Sequence, residues 1–210
     1  METDAKAFKK LFPQGHIPSV LDAIFQAGKS LQKKTEQDME DWITRRLYNR
    51  LRHRTPFRDG PLDITLKKEI ISSDLDANTA AGEIDISISC GIGNEVYFPF
   101  EAKRLRFCSF NGRVTAGSAA YVNDGMMSFI SGQYAPYMEA AAMLGYVFDG
   151  KTDIARAGID RAVKTKAMKL KLRAPKQLLR SHILPGSPVD ETHHDLKNRF
   201  FTIYHIFLAV

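Results

Sequence analysis

Three ionisable residues on two neighbouring stretches of sequence are spaced so that they could do chemistry together. Residues 82–91 alternate polar and apolar types, which places Asp85 on the polar face of a predicted strand. Residues 95–105 form a second predicted strand, in which Glu101 and Lys103 share the polar face. If the strands are neighbours, Asp85, Glu101 and Lys103 converge on one polar patch. Two carboxylates beside a lysine are the groups that a divalent-metal phosphodiesterase needs, since hard oxygen ligands suit Mg²⁺ and Mn²⁺.

This pattern resembles the signature of the PD-(D/E)xK nuclease superfamily, whose members have the restriction-endonuclease-like fold. Asp85 matches the first acid of the signature, Glu101 the second acid and Lys103 the lysine. The sequence departs from the family before the first acid, where Ile84 replaces a frequent proline. Pro99 within the second strand indicates a sheet edge or a bulge, because proline cannot donate a hydrogen bond to a strand ladder.

The resemblance implies a Mg²⁺-dependent nuclease, with Mn²⁺ as the alternative ion. DNA is the preferred substrate, and the choice between DNA and RNA and between endonuclease and exonuclease stays open. Family members hold the metal with the two acids and the carbonyl that follows the second acid, which implies Asp85, Glu101 and Ala102 as ligands. Lys103 is implied to orient the attacking water or to help deprotonate it. The implied products carry a 5′-phosphate and a 3′-hydroxyl.

A further acid is predicted on the helix that precedes the sheet. The sequence Thr-Glu-Gln-Asp at residues 35–38 predicts the start of that helix, and Glu40 shares a helical face with Ile43 and Leu47. An acid in the first turn is also explained by the helix dipole alone. Many members of the superfamily carry a metal-binding acid on this helix. The resemblance therefore implies Glu40 as a catalytic and metal-binding residue, with Glu36 as the alternative.

Periodicity along the chain predicts an α/β protein with a mixed central sheet flanked by helices. Helices are predicted at residues 18 to about 34, 35 onwards, 121–134 and 151–172, and strands at 61–72, 82–91, 95–105, 143–148, 177–184 and 200–210. The strand at 143–148 is apolar throughout, which is typical of a buried parallel strand. The order helix, three strands, helix, strand resembles the restriction-endonuclease-like core. We predict one domain over residues 1–210, with an extension (1–34), a core (35–172) and C-terminal strands (173–210).

The charge of the chain favours an anionic partner. The formal net charge is +6, and two basic clusters contribute to it. One is Arg45 and Arg46 on the second predicted helix; the other consists of Lys164, Lys166, Lys169 and Lys171. Such runs are usually solvated faces. Beside a nuclease motif, we predict that both clusters bind the phosphate backbone of nucleic acid.

Other features bound the cellular setting and exclude some chemistry. Cys90 and Cys108 are the two cysteines, and they predict reduced thiols rather than a disulfide framework. We expect a cytoplasmic protein without membrane contact, because no apolar run approaches the roughly 20 residues that span a bilayer. His193 and His194 are predicted in a loop, and no His or Cys spacing matches a structural zinc site. His205 is predicted to be a core or substrate-side histidine.

Two further hypotheses remain beside the nuclease. One is a catalytically inactive subunit with the same fold, which binds nucleic acid or a partner protein; the other is a basic, non-enzymatic nucleic-acid binder. The complete Asp, Glu and Lys set favours the enzyme. The sequence FEAKRL, followed by a Gly-bearing helix and the sequence GYVFDG, resembles the corresponding segments of small bacterial nucleases from phage-defence and mobile-element systems. Because no substrate-selecting domain is evident, a partner protein is predicted to supply targeting or activation.

Overall fold

A computed structural model of the chain describes residues 12–72, 76–91, 96–109, 111–196 and 199–210. The helical elements are a 3₁₀ turn Gln14–His16, α1 Ile17–Gly28, α2 Glu40–Leu51, α3 Ser118–Ala120, a π-helical turn Tyr121–Met126, α4 Met127–Ile130 and α5 Thr152–Thr165. The strands are β1 Asp63–Ile70, β2 Gly82–Ser89, β3 Tyr97–Leu105, β4 Phe107–Cys108, β5 Val114–Thr115, β6 Ala140–Val147, β7 Leu179–Arg180, β8 Val189–Leu196 and β9 Arg199–Ala209. No helix in these ranges is both long and apolar enough to cross a membrane.

Seven strands form one mixed sheet in the order β1-β2-β3-β6-β9-β8-β7. Strand β6 is parallel to β3 and to β9, and the other neighbours are antiparallel. Strands β4 and β5 form a separate hairpin. The predicted α/β class with a mixed central sheet is therefore confirmed, and the apolar segment predicted as a parallel strand is the centre of that sheet.

Helices cover both faces of the sheet. On one face, the Thr44 hydroxyl of α2 lies 3.0 Å from the Tyr146 hydroxyl of β6, and both groups are buried. On the other face, the Tyr121 ring of the π-helical turn stacks on Phe207 of β9. Gly125 of the same turn lies against Met143, where a larger side chain would collide with the methionine. The apolar residues predicted to face inward from this helical segment are all buried: Tyr121, Val122, Met126, Phe129 and Ile130.

The start of α2 differs from the prediction. Helix α2 begins at Glu40, because Asp38 organises residues 34–38 into a separate turn. Its buried carboxylate accepts hydrogen bonds from the Lys34 amide at 2.8 Å and from Arg46 at 2.7 Å. Thr35, the predicted helix cap, also lies in this turn, with its hydroxyl 3.2 Å from Asp38.

Three predictions for the C-terminal half were also wrong. Helix α5 ends at Thr165 and the following residues turn, while the strand predicted at 177–184 is reduced to β7. His193 and His194 lie in strand β8 and not in a loop. Strand β8 has the polar sequence VDETHHDL, so it lacks the apolar alternation that identifies a half-buried strand.

Two buried polar residues of β8, Thr192 and His194, belong to a hydrogen-bond network that extends to other elements. His194 Nδ1 lies 2.7 Å from the carbonyl of Leu170, and its Nε2 lies 2.8 Å from the Thr192 hydroxyl. The same hydroxyl lies 2.9 Å from His205 Nε2, and His205 Nδ1 lies 2.9 Å from the Tyr121 hydroxyl. A carbonyl only accepts, so His194 donates from Nδ1, Thr192 donates to His194, His205 donates to Thr192 and Tyr121 donates to His205. Every residue of this hydrogen-bond network is neutral, which indicates a core role for His205.

This network predicts a loss of stability in mild acid. Burial lowers the pKa of His194 to about 4 and that of His205 to about 3. Between pH 6.5 and 5 the unfolded chain binds protons that the folded protein does not, so each histidine reduces the free energy of unfolding by about 2 kcal/mol. Urea unfolding of His194→Gln should show about 2 kcal/mol less loss than wild type over this interval. The exposed-site variant His53→Gln should behave as wild type; equal losses in all three proteins would contradict the prediction.

Candidate active site

The site lies where strands β2 and β3 separate. Their antiparallel register ends at the pair Ile86 and Phe100, while β3 continues alongside β6. Beyond that pair, the carboxylate of Asp85 takes the place of a backbone acceptor, and its Oδ2 accepts a hydrogen bond from the Ala102 amide at 2.8 Å. Pro99 lies just before the register with β6 begins, so β3 has a neighbour on one side only at the proline. The predicted local edge explains how proline is accommodated in an interior strand.

Glu101 is a buried carboxyl group close to Asp85. Glu101 is 6% exposed, and its Oε1 accepts a hydrogen bond from Lys103 Nζ at 2.6 Å. Its Oε2 is buried and has no hydrogen-bond partner among the described residues. Burial, followed by the charge of Asp85, raises the pKa of the Glu101 carboxyl to about 8. A buried carboxylate oxygen without a donor is costly, and it is an open coordination position for a cation.

Lys103 is surrounded by oxygen atoms. Its Nζ lies 2.6 Å from Glu101 Oε1, 2.8 Å from the Ala102 carbonyl and 3.4 Å from Glu40 Oε1. Burial disfavours the ammonium, but the charges of Glu101 and Glu40 outweigh that effect and raise the pKa of Lys103 above its usual range. The side chain is therefore a cationic hydrogen-bond donor at neutral pH. This charge state favours orientation of water over its deprotonation.

Helix α2 contributes Glu40 and not Glu36 to this cluster. Glu40 Oε2 accepts a hydrogen bond from the Arg104 amide at 3.1 Å, which ties the first turn of α2 to β3. Burial is the main reason that the pKa of Glu40 is raised. The Glu36 side chain is 51% exposed and pairs with Lys33 at 3.2 Å, outside the cluster. The structure therefore brings together the four residues predicted as catalytic: Asp85, Glu101, Lys103 and Glu40.

These positions predict different effects for the two glutamates. Glu40→Gln should lower the rate of Mg²⁺-dependent cleavage about tenfold at limiting Mg²⁺, because it removes a negative charge from the cluster. The free energy of unfolding of this variant should change little, since the glutamine oxygen can still accept a hydrogen bond from the Arg104 amide. Glu36→Gln is the matched control and should retain the full rate. The measurement is the cleavage rate across a Mg²⁺ titration; the reverse order of effects would assign the role to Glu36.

Lys67 of β1 also belongs to the cluster and was missed by the sequence analysis. Its Nζ lies 2.7 Å from Asp85 Oδ1, 2.9 Å from Asp41 Oδ1 and 3.1 Å from Glu83 Oε1. The missed signal was the antiparallel pairing of β1 with β2, in which Leu66 faces Ile86 and the next residue falls beside Asp85. Asp63, the first residue of β1, is exposed and lies opposite Ser89 in the register, away from Asp85.

A groove gives access to Glu101 from solvent. It has a volume of about 430 Å³ and lies between β3 and the helical segment 118–130. Its lining is largely polar and includes Asn123, Ser128 and Tyr134 beside Glu101. Burial and then the Glu101 charge raise the pKa of Tyr134, so its hydroxyl stays protonated. Asn123 belongs to the π-helical turn Tyr121–Met126, and π-helical turns often occur at functional sites.

The donor set of the cluster fits a hard divalent cation. Asp85, Glu101 and Glu40 supply carboxylate oxygens, and Ala102 supplies a carbonyl oxygen. The unpartnered Oε2 of Glu101 leaves one buried oxygen free for coordination. Across the described ranges, no three His, Cys, Asp or Glu side chains form a ready-made metal site. The two ammonium groups of the cluster, Lys67 and Lys103, hydrogen-bond its carboxylates directly.

The predicted arginines occupy two different environments. Arg45 is exposed on α2, where it is accessible to a polyanion. Arg46 pairs with the buried carboxylate of Asp38 at 2.7 Å and donates to the Gln32 carbonyl at 3.0 Å. Arg46 therefore already holds the turn before α2, and its role in nucleic-acid binding stays a prediction.

Among the predicted lysines, Lys166 lies nearest to the groove. It donates a hydrogen bond to Asn123, which lines the groove beside Glu101. Lys164 pairs with Asp160 one turn earlier, at 2.7 Å. Two more are exposed after the end of α5: Lys169 and Lys171. Lys166 therefore places a positive charge at the rim of the groove.

Comparisons with protein-family models, with curated proteins and with solved structures yield no match to this chain. The residues of the cluster and the motif that they form are therefore the basis for assigning a function to this chain.

Proposed function

We propose that this protein is a metal-dependent nuclease that hydrolyses phosphodiester bonds, with DNA as its substrate. The observation that carries the proposal is the Oε2 of Glu101, which is buried near the carboxylate of Asp85 and has no partner among the described residues. A buried oxygen of this kind is costly unless something binds it, and a divalent cation held between Glu101 and Asp85 would bind it. The order α2, β1, β2, β3, helical segment 118–130 and β6 supports a restriction-endonuclease-like core.

Each residue of the cluster has a part in this reaction. Asp85, Glu101 and the Ala102 carbonyl would hold Mg²⁺, with Glu40 completing the set from α2. When bound, Mg²⁺ supplies a Lewis acid that lowers the pKa of water and offsets charge on the scissile phosphate. Lys103 donates hydrogen bonds as an ammonium, so it orients the attacking water and stabilises charge on the phosphate. Water adds to phosphorus while the 3′-oxygen leaves with a proton, which gives a 5′-phosphate and a 3′-hydroxyl.

The direct test is incubation of the purified chain with labelled linear, circular and single-stranded DNA and with RNA. We expect cleavage of DNA with Mg²⁺ or Mn²⁺ and none with EDTA, and end-labelling should detect 5′-phosphate. Cleavage of the circular form would identify an endonuclease. Asp63→Asn, which removes an exposed acid from the same sheet, is the control for nonspecific charge effects. Metal-independent DNA binding without any cleavage would instead support the inactive subunit or the non-enzymatic binder.

A salt-dependence experiment tests whether the predicted lysines, Lys164, Lys166, Lys169 and Lys171, bind the phosphate backbone. Lys166→Gln/Lys169→Gln should reduce DNA affinity similarly for all sequences, because bonds to phosphate carry no sequence information. It should also lower the slope of log affinity against log salt by about 0.9 for each phosphate of duplex DNA that the variant no longer neutralises. Cleavage at saturating substrate should persist. Lys29→Gln/Lys34→Gln is the matched double variant, and an unchanged slope in the first pair would move the binding surface to the arginines of α2.

A further inference from the structure

Lys67 adopts an unusual backbone conformation within a regular strand. Its φ is 56°, in the left-handed region, while its neighbours Leu66 and Lys68 keep their register with Ile86 and Ile84. A residue other than glycine pays roughly 1–2 kcal/mol for this conformation, so surrounding contacts must hold it there. The end of its side chain makes three ion-pair contacts that can hold it there.

Three carboxylates surround the Lys67 ammonium. Asp85, Asp41 and Glu83 lie 2.7, 2.9 and 3.1 Å from its Nζ, so each of the three N–H donors has one acceptor. The acids come from β2 and from the first turn of α2. Without the ammonium, three negative charges would surround one point beside the catalytic cluster.

The two carboxylate oxygens of Asp85 face different sides of the cluster. Its Oδ2 faces Ala102 and the Glu101 side of the cluster, whereas its Oδ1 faces Lys67. Two-metal phosphodiesterases place their ions about 3.5–4 Å apart. In this protein the position on the β1 side of Asp85 is filled by an amine that belongs to the chain.

We propose that Lys67 is the permanent second cation of the site, so that the protein binds one divalent ion. This inference rests on the proposed metal-dependent function. Lys67 is a positioning residue: it fixes the Oδ1 side of Asp85 and offsets the charges of Asp41 and Glu83, which leaves the Glu101 side for the single metal.

Counting bound Mn²⁺ tests the inference without an activity assay. Electron paramagnetic resonance of free Mn²⁺ and isothermal titration calorimetry should both give one ion per wild-type chain. Lys67→Met should bind two ions, because the three carboxylates then lack their counterion. Lys67→Gly is the second variant, since glycine removes the ammonium and also accepts the positive φ, so it should fold and also bind two. Lys68→Met, which changes the adjacent lysine, should bind one.

The outcomes separate this inference from the function on which it rests. One ion in wild type and still one in folded Lys67→Met and Lys67→Gly would overturn the role of Lys67 and leave the nuclease proposal intact. Two ions in wild type would overturn it in the same way. No bound ion in any of the proteins would overturn the proposed metal site and the inference together. Circular dichroism at each titration confirms that the variants are folded.

Discussion

Glu101→Gln should abolish Mg²⁺-dependent cleavage while the folded structure is retained. Glutamine keeps the shape of the side chain but removes the negative charge that would hold the proposed metal beside Asp85. Metal ions contribute several kcal/mol to the stabilisation of a transition state, so we expect the rate to fall roughly 10³-fold or more. Mg²⁺ should raise the melting temperature of the wild-type protein and should leave that of Glu101→Gln unchanged.

The stability of the metal-free variant provides a second measurement. The folded pKa of Glu101, about 8, lies above its value in the unfolded chain. The group therefore favours folding fully below about pH 4.5, and this contribution is lost as the pH rises to about 8. Glu101→Gln does not titrate, so it should be at least as stable as the metal-free wild type from pH 7 upwards. Full cleavage by Glu101→Gln, with Asp63→Asn as the control, would remove this cluster from the proposed reaction.

Lys103→Met should separate catalysis from metal binding. Loss of a preorganised charged donor at a reacting oxygen typically costs about 10²- to 10³-fold in rate, and we expect that loss here. Affinity for Mn²⁺ should be equal or higher, because the Lys103 ammonium now bonds Glu101 Oε1 and the Ala102 carbonyl, which are both proposed ligands. The variant should therefore bind metal and DNA but cleave slowly.

A matched comparison decides whether this effect is local. Lys34→Met removes an exposed lysine and should leave both rate and Mn²⁺ affinity unchanged. If Lys103→Met lost metal affinity in proportion to its rate, the lysine would serve the structure of the site and not the chemistry. Glu101→Gln, which should lose both properties, completes the comparison.

Local patterns were sufficient to predict most of the sheet. Alternation along β2 and β3 predicted that Asp85, Glu101 and Lys103 lie together, because successive side chains of any strand point to opposite faces. The apolar run of β6 predicted a buried parallel strand, and the π-helical segment was predicted as a helix with the observed apolar residues inward. These properties depend on residues close together in the chain.

Failures occurred where partners distant in sequence overrode local preference. Thr35 was predicted to cap the second helix, but the buried ion pair of Asp38 with Arg46 organises this segment as a turn. The helix therefore begins at Glu40. The polar strand β8 gave no alternation signal, because its buried His194 is satisfied by a partner in another part of the chain, the carbonyl of Leu170.

By itself, the sequence determined which side chains share a strand face, because a strand repeats every two residues whatever it packs against. Only the tertiary structure decided that Glu40, more than sixty positions before Lys103, completes the cluster, and that Lys67 fills the other side of Asp85. It also decided that Oε2 of Glu101 is buried without a partner among the described residues. Burial and the convergence of charges arise when separate elements pack together, so no local pattern encodes them.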